Sequence, residues 1–266
     1  MTEPDLPADF GASAHDESFL DIARRLKRAQ KPAARSAPAY SRFVNRRIGR
    51  YLAAWAHWVG LGANAVTAIS AAWTFVGIAL LVLFPPSWGL GIAVMLCLLI
   101  GYAFDSADGQ VSRLQGSSSP AGEWLDHMVD SVKVSTMPLA LAVGFYRFDI
   151  GARGWLLVPI AFSIVSAVLF FGMILTEQLR RAHGTASLAT DAPGRPSWLR
   201  AVLVLPMDYG VLCVSFVLLG APVAFMVVYT LLFAATTLFL LSAAAKWFRE
   251  LRAWSLAGHG EHGSLR

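Results

Sequence analysis

Charge is what this sequence has least of. Asp, Glu, Lys and Arg together make up 15% of its 266 residues, while 56% are hydrophobic. Soluble globular chains carry about 25% charged residues, so this profile excludes that class. Cysteine is scarce as well. Cys97 and Cys213 each sit inside a long apolar run, which excludes a disulfide or thiolate-metal framework and leaves two small buried hydrophobes. Histidine shows no metal-ligand spacing, so a metal would have to be held by oxygen. Nor does an apolar leader open the chain. The residues up to about position 60 are polar and basic, so no signal peptide is expected and the first span serves as the insertion signal.

Long apolar runs are what the sequence does have, each near the roughly 20 residues that cross about 30 Å of hydrocarbon. Six spans are expected, at 64–84, 88–114, 121–146, 155–176, 201–219 and 222–245, punctuated by Pro85-Pro86, Gln115 to Pro120, Tyr146 to Gly154, the polar stretch 182–197 and Gly220-Ala221-Pro222. The fold class is an all-α integral membrane protein, its six transmembrane helices preceded by a basic amphipathic juxtamembrane helix. The expected organisation is a tail at 1–40, a six-helix membrane domain at 41–250 and a C-terminal tail at 251–266. Within the first tail, residues 1 to about 16 read as unstructured. Phe19, Leu20, Ile22, Ala23 and Leu26 then recur near helical period between Arg24, Arg25, Lys27 and Arg28. That pattern reads as a helix on an anionic leaflet, or else as a solvated tail. A second interfacial helix follows, with Arg46, Arg47 and Arg50 among Phe43, Ile48, Tyr51 and Leu52, and with Trp55 and Trp58 as belt aromatics. Basic residues gather before the first span and recur at Arg113, Arg180 and Arg181, whereas Arg147 and Arg153 alone face the other side. That asymmetry places both termini in the cytoplasm, in a multi-pass protein of a bacterial inner membrane.

Against this apolar background four carboxylates stand out: Asp105, Asp108, Asp126 and Asp130. Acidic groups beside hydrocarbon are costly and mark function. The first pair is spaced i,i+3 and the second i,i+4, so each pair shares one helical face. Two such faces turned together make a four-carboxylate pocket, and four unpaired anions repel strongly enough to call for divalent metal. Lys133, three residues after Asp130, is placed either to neutralise this cluster or to bind an acceptor. Asp208 and Tyr209 read as lining an acceptor cavity or as interfacial.

At these residues the chain resembles the CDP-alcohol phosphotransferase family, also called CDP-alcohol phosphatidyltransferases, whose signature is D-x2-D-G-x2-A-R-x8-G-x3-D-x3-D. Asp105, Asp108, Gly109, Arg113, Gly122, Asp126 and Asp130 fall on it in register, with Ser112 where the pattern has Ala. The resemblance implies transfer of a substituted phosphate from a CDP-alcohol to a hydroxyl, releasing CMP, with one of the two substrates a lipid. CDP-diacylglycerol is the expected donor, in phospholipid biosynthesis. It further implies two Mg²⁺ or Mn²⁺ ions held by Asp105, Asp108 and Asp126, with Asp130 as ligand and general base. Gly109, Gly122, Ser112 and Arg113 would lie against the nucleotide and its phosphates. The family commonly carries Asn-x-x-Thr at the start of its first span, usually after Pro. Here Ala63 replaces the Pro, Asn64 reads as nucleotide-facing or as a helix N-cap, and Thr67 as nucleotide-facing. A homodimer is implied as well, and nucleic acid is not expected as a partner.

Two details point to different substrates. The run from Ser117 to Ser131 resembles choline and ethanolamine phosphotransferases, with Glu123 and His127 matching, so His127 is an alternative base to Asp130. The run from Ser41 to Arg50 resembles members that make inositol-phosphate compounds. A soluble CDP-linked head group donated to a lipid alcohol is therefore the alternative chemistry. A small transporter or an inactive membrane subunit is the alternative of another class.

Overall fold

The computed structural model describes residues 19, 22, 24–26, 40–188 and 207–263, and these are helical with no strand among them. Helix α1 covers Arg46–Trp58 and is led by a π-helical turn at Ser41–Asn45. Next come α2 (Ala63–Leu83), α3 (Trp88–Gln115), α4 (Pro120–Arg147) and α5 (Leu157–Ala182), the last opened by a 3-10 turn at Arg153–Leu156. Beyond residue 206 lie α6 (Tyr209–Ser215), a 3-10 turn at Phe216–Gly220, and α7 (Pro222–Gly263).

Five of these stretches are long and apolar enough to cross a bilayer: α2, α3, α4, α5 with its opening turn, and α7 as far as Trp254. The fifth of the six expected spans, 201–219, differs. Its residues 201–206 lie outside the described residues, and the rest forms the shorter apolar stretch Tyr209–Gly220. At 1.5 Å per residue that stretch reaches about 18 Å, well under a bilayer. Local chemistry sets both ends. The Asp208 carboxylate accepts the Gly210 N–H at 3.0 Å and starts the helix there, and Pro222 opens the next one. At the other end of the chain, α7 passes the expected tail boundary at 251 and continues to Gly263.

Contacts fix which ends share a rim. Tyr209 meets Tyr102, midway along α3, at 5.0 Å between ring centroids. Gly220 abuts the ring of Trp88, at the start of α3. Tyr209–Gly220 therefore runs from mid-depth to the Trp88 rim, and α7 returns from it. The far end of α7 meets the end of α5 through Arg180 and Glu250, 2.5 Å apart, and through stacked His183 and Trp254 rings at 4.7 Å. The end of α5 in turn meets the start of α4, where Arg181 donates to Glu123 at 2.6 Å. Glycine at position 49 lets α1 approach Ser106 and Gln110 near the end of α3. So α1, the α3–α4 turn and the end of α7 share one rim.

The apolar inventory is distributed as a membrane dictates. A core of Leu98, Leu141, Phe216, Phe225 and Tyr229 fills the Trp88-side half. On α5 only 17% of the apolar window is buried, and Leu157, Ile164 and Phe171 point outward, which suits lipid as the neighbour. Helix α1 buries Gly49, Ala53, Ala54 and Ala56 and leaves Ile48, Tyr51, Trp55 and Trp58 exposed. The first amphipathic segment lies mostly outside the described residues. Where it is described, Ile22 and Leu26 are buried with Ala53, Ala54, Val66, Ala107 and Val111. Their apolar face meets protein, not a leaflet, because the small residues of α1 leave room for it.

The element that positions the site is α2, along which both α3 and α4 pack. A side chain at Gly101 of α3 would run into Thr74 and come within 3.0 Å of the Ser70 carbonyl oxygen, and one at Gly144 of α4 would strike the Leu81 carbonyl. Absent side chains at these crossings let the helices close.

Candidate active site

The turn joining α3 to α4 is built from capping residues. Gly116 ends α3 in the left-handed region at φ 61°, a conformation in which glycine carries no Cβ penalty. Ser119 caps α4 by accepting the Gly122 N–H at 3.1 Å, with Pro120 in the first turn. This reversal faces the last turns of α3 with the first turns of α4. Asp108 and Asp126 stand six or seven residues from the turn, about 10 Å below the rim at helical rise.

One carboxylate oxygen from each of Asp105, Asp108 and Asp126 lies within 4.8 Å of the others. Thr67, one turn into α2, donates its hydroxyl to Asp108 at 2.7 Å. Asp130 does not join this trio. Its Oδ1 is 3.1 Å from Lys133 Nζ, one turn on in α4, and the same ammonium lies 2.7 Å from Asp105 Oδ1. The expected four-carboxylate pocket is thus a triad with Asp130 beside it, tied to the triad's Asp105 through Lys133. Among the described residues no Lys or Arg forms an ion pair with Asp108 or Asp126. A close all-oxygen donor set with more negative charge than one ammonium offsets fits a hard divalent cation.

Above the triad a cavity of about 440 Å³ is lined by Asn64, Thr67, Asp108, Gly109, Ser112, Arg113, Gly122, Glu123 and Asp126, with Ser117 to Ser119 from the turn. Gly109 presents bare backbone there, with only the Arg113 guanidinium within 4 Å of where a Cβ would be. A Cβ on Gly122 would stand 3.4 Å from Asn64 Oδ1. Asn64 is therefore a cavity residue; the N-cap of α2 is Gly62. Ser112 exchanges a 2.9 Å hydrogen bond with Ser118.

Four sequence candidates do not line this cavity: Asp105, Asp130, Lys133 and His127. Lys133 is 6% exposed and does not line the cavity. His127 lines a second groove of about 450 Å³ between α4 and α5, with Trp124, Met128, Ser131, Phe170 and Phe171. Its Nε2 is 3.7 Å from Glu123, a residue that borders both spaces. Asp208, read as lining an acceptor cavity or as interfacial, is 1% exposed and accepts the backbone N–H groups of Tyr40 and Gly210. It is a structural cap.

A family model described as CDP-alcohol phosphatidyltransferase matches residues 61–255, from the threshold of α2 into α7. The chain belongs to the CDP-alcohol phosphatidyltransferase family. It is accordingly a phosphotransferase, in a family generally dependent on divalent metal, and the transporter reading falls away. The match covers every aspartate of the triad and leaves α1 outside it. No curated protein matches the chain.

Sequence reasoning passed over Ser70. It is fully buried, donates to the Gly101 carbonyl at 2.9 Å and accepts from Lys133 at 3.1 Å. Its position one turn after Thr67 was the available signal. The Ser117–Ser119 turn was read as a polar connection and as the start of the run resembling choline and ethanolamine phosphotransferases, and nothing in its composition says that it rims a cavity.

Proposed function

We propose that this protein transfers a substituted phosphate from CDP-diacylglycerol to an acceptor hydroxyl and releases CMP. The observation carrying the proposal is a cavity at the shared rim into which Asp108 and Asp126 of the carboxylate triad face together with Gly109, Arg113 and Gly122. Mg²⁺ or Mn²⁺ bound by Asp105, Asp108 and Asp126 would supply electrostatic stabilisation for charge building on the pyrophosphate oxygens. The protein's own contributions follow from position. Thr67 orients Asp108. Gly109 and Gly122 leave space for the nucleotide, and Arg113 offers a guanidinium to its phosphate. Asp130 takes the acceptor's proton as the new P–O bond forms and the bond to CMP breaks, so CMP leaves with the electron pair. The charge asymmetry of the sequence supports a cytoplasmic site in a bacterial inner membrane.

One observation favours a second reading. His127 faces a mostly apolar groove between two spans, where the alcohol of a lipid acceptor would be met. In that case the donor is a soluble CDP-linked head group and His127 takes the proton. Product mass spectrometry on the purified protein, with a panel of CDP-alcohols crossed against acceptors, decides between them. Product only from CDP-diacylglycerol supports the first, product only from a soluble CDP-alcohol with diacylglycerol supports the second, and no CMP from any pair contradicts both.

A further inference from the structure

Lys133 is the one Lys or Arg among the buried described residues. An ammonium inside a membrane-spanning helix is strongly unfavourable unless opposite charge and hydrogen bonds meet it. Here it meets three partners on three helices: Ser70 Oγ of α2 at 3.1 Å, Asp105 Oδ1 of α3 at 2.7 Å and Asp130 Oδ1 of α4 at 3.1 Å. An ammonium has three N–H donors, and these contacts use all of them. Ser70 is itself committed, since its hydroxyl donates to the Gly101 carbonyl. A substrate-binding lysine would keep a donor free, and this one does not.

We propose that Lys133 is a positioning residue: its ammonium stands between the Asp130 carboxylate and Asp105 of the triad and keeps Asp130 from joining the metal ligands. The metal-ligand set is thereby limited to three aspartates, and Asp130 stays available as a base instead of becoming a fourth ligand. The inference rests on the metal-dependent reading above and adds to it a division of labour enforced by one side chain.

The test is Mn²⁺ binding to the purified full-length protein, followed by electron paramagnetic resonance, alongside CMP release. Lys133→Met is expected to bind Mn²⁺ about tenfold more tightly, because Asp105 loses a competing cation and the freed Asp130 adds an anionic ligand. Its kcat is expected to fall about 100-fold, the scale of a lost general base. Asp130→Asn alone is expected to leave Mn²⁺ affinity within about threefold, and adding it to Lys133→Met is expected to remove most of the gain, a non-additivity that reports direct coupling. Removing a cation beside Asp105 tightens binding in either case, so the part of the gain that Asp130→Asn removes is what reports Asp130. Unchanged or weaker binding in Lys133→Met with a native melting profile overturns the proposal, as does a gain that survives undiminished in the double variant. Should Lys133→Met fail to fold, Lys133→Arg keeps the charge and displaces the donors. The proposal then expects lower kcat with KM for the CDP-alcohol within about threefold, and a raised KM at unchanged kcat overturns it. Wild-type protein that binds no Mn²⁺ overturns the metal-dependent reading itself, and is told apart because it shows before any substitution.

Discussion

Thr67 shows how one hydroxyl prepares a carboxylate for its task. The 2.7 Å bond to Asp108 fixes the rotation of a side chain whose oxygen lies within 4.8 Å of one from each of two other carboxylates. Thr67→Val keeps the shape and deletes the donor. It is expected to lower kcat/KM about tenfold through the loss of one charge-assisted hydrogen bond, while Thr67→Ser retains most activity; steady-state CMP release checks both. The aspartates themselves were legible because their spacings repeat helical periods beside apolar runs. The split between the triad and Asp130 was not. It depends on Lys133 meeting Asp105 across a gap between helices, and sequence spacing is silent on contacts between elements. Asn64 was open between nucleotide-facing and N-cap because its residue type suits both; Gly62 takes the cap position and Asn64 lines the cavity.

At the scale of helices, α2 is the spine, and its closeness to α3 is set by missing atoms. Gly101→Ala would thrust a methyl against Thr74 and the Ser70 backbone. Overpacking of this kind costs about 1–3 kcal/mol, and here it also moves Asp105 and Ser70 relative to each other. Thermal unfolding in detergent should show the lower stability, and CMP release should fall with it. A contrasting change lies in the core. The Tyr229 hydroxyl is buried with no hydrogen-bond partner, and a buried unpaired hydroxyl is unfavourable by about 1–3 kcal/mol. Tyr229→Phe is therefore expected to raise the melting temperature or leave it unchanged, with activity retained; a clear fall contradicts this packing. The spans α2 to α5 were legible from hydropathy, since Pro85-Pro86, Gly116 and Ser119-Pro120 break the runs. Helix α6 was not. Apolar composition alone suggested a full crossing, whereas Asp208 starts the helix at mid-depth and the 3-10 turn ends it.

For the molecule as a whole, the shared rim of α1, the α3–α4 turn and the end of α7 yields a topology that labelling can read. A cysteine at Ser117, in the turn, should react with a membrane-impermeant thiol reagent only from the cytoplasmic side, and one at Asp149, between α4 and α5, only from the opposite side. Native Cys97 and Cys213 are buried and leave the background low. Labelling of both positions from one side contradicts the bundle. The same rim carries the cavity, so membrane topology and chemistry stand or fall together. The measurement that bears on the central claim most directly is CMP release from a CDP-alcohol by purified protein, with and without divalent cation, in the wild type and in Asp108→Asn and Asp126→Asn. The account predicts release that stops in EDTA, returns with Mg²⁺ or Mn²⁺, and falls by about 100-fold or more in both variants while they keep a native melting profile. Release at the wild-type rate in EDTA, or from either variant, would contradict it.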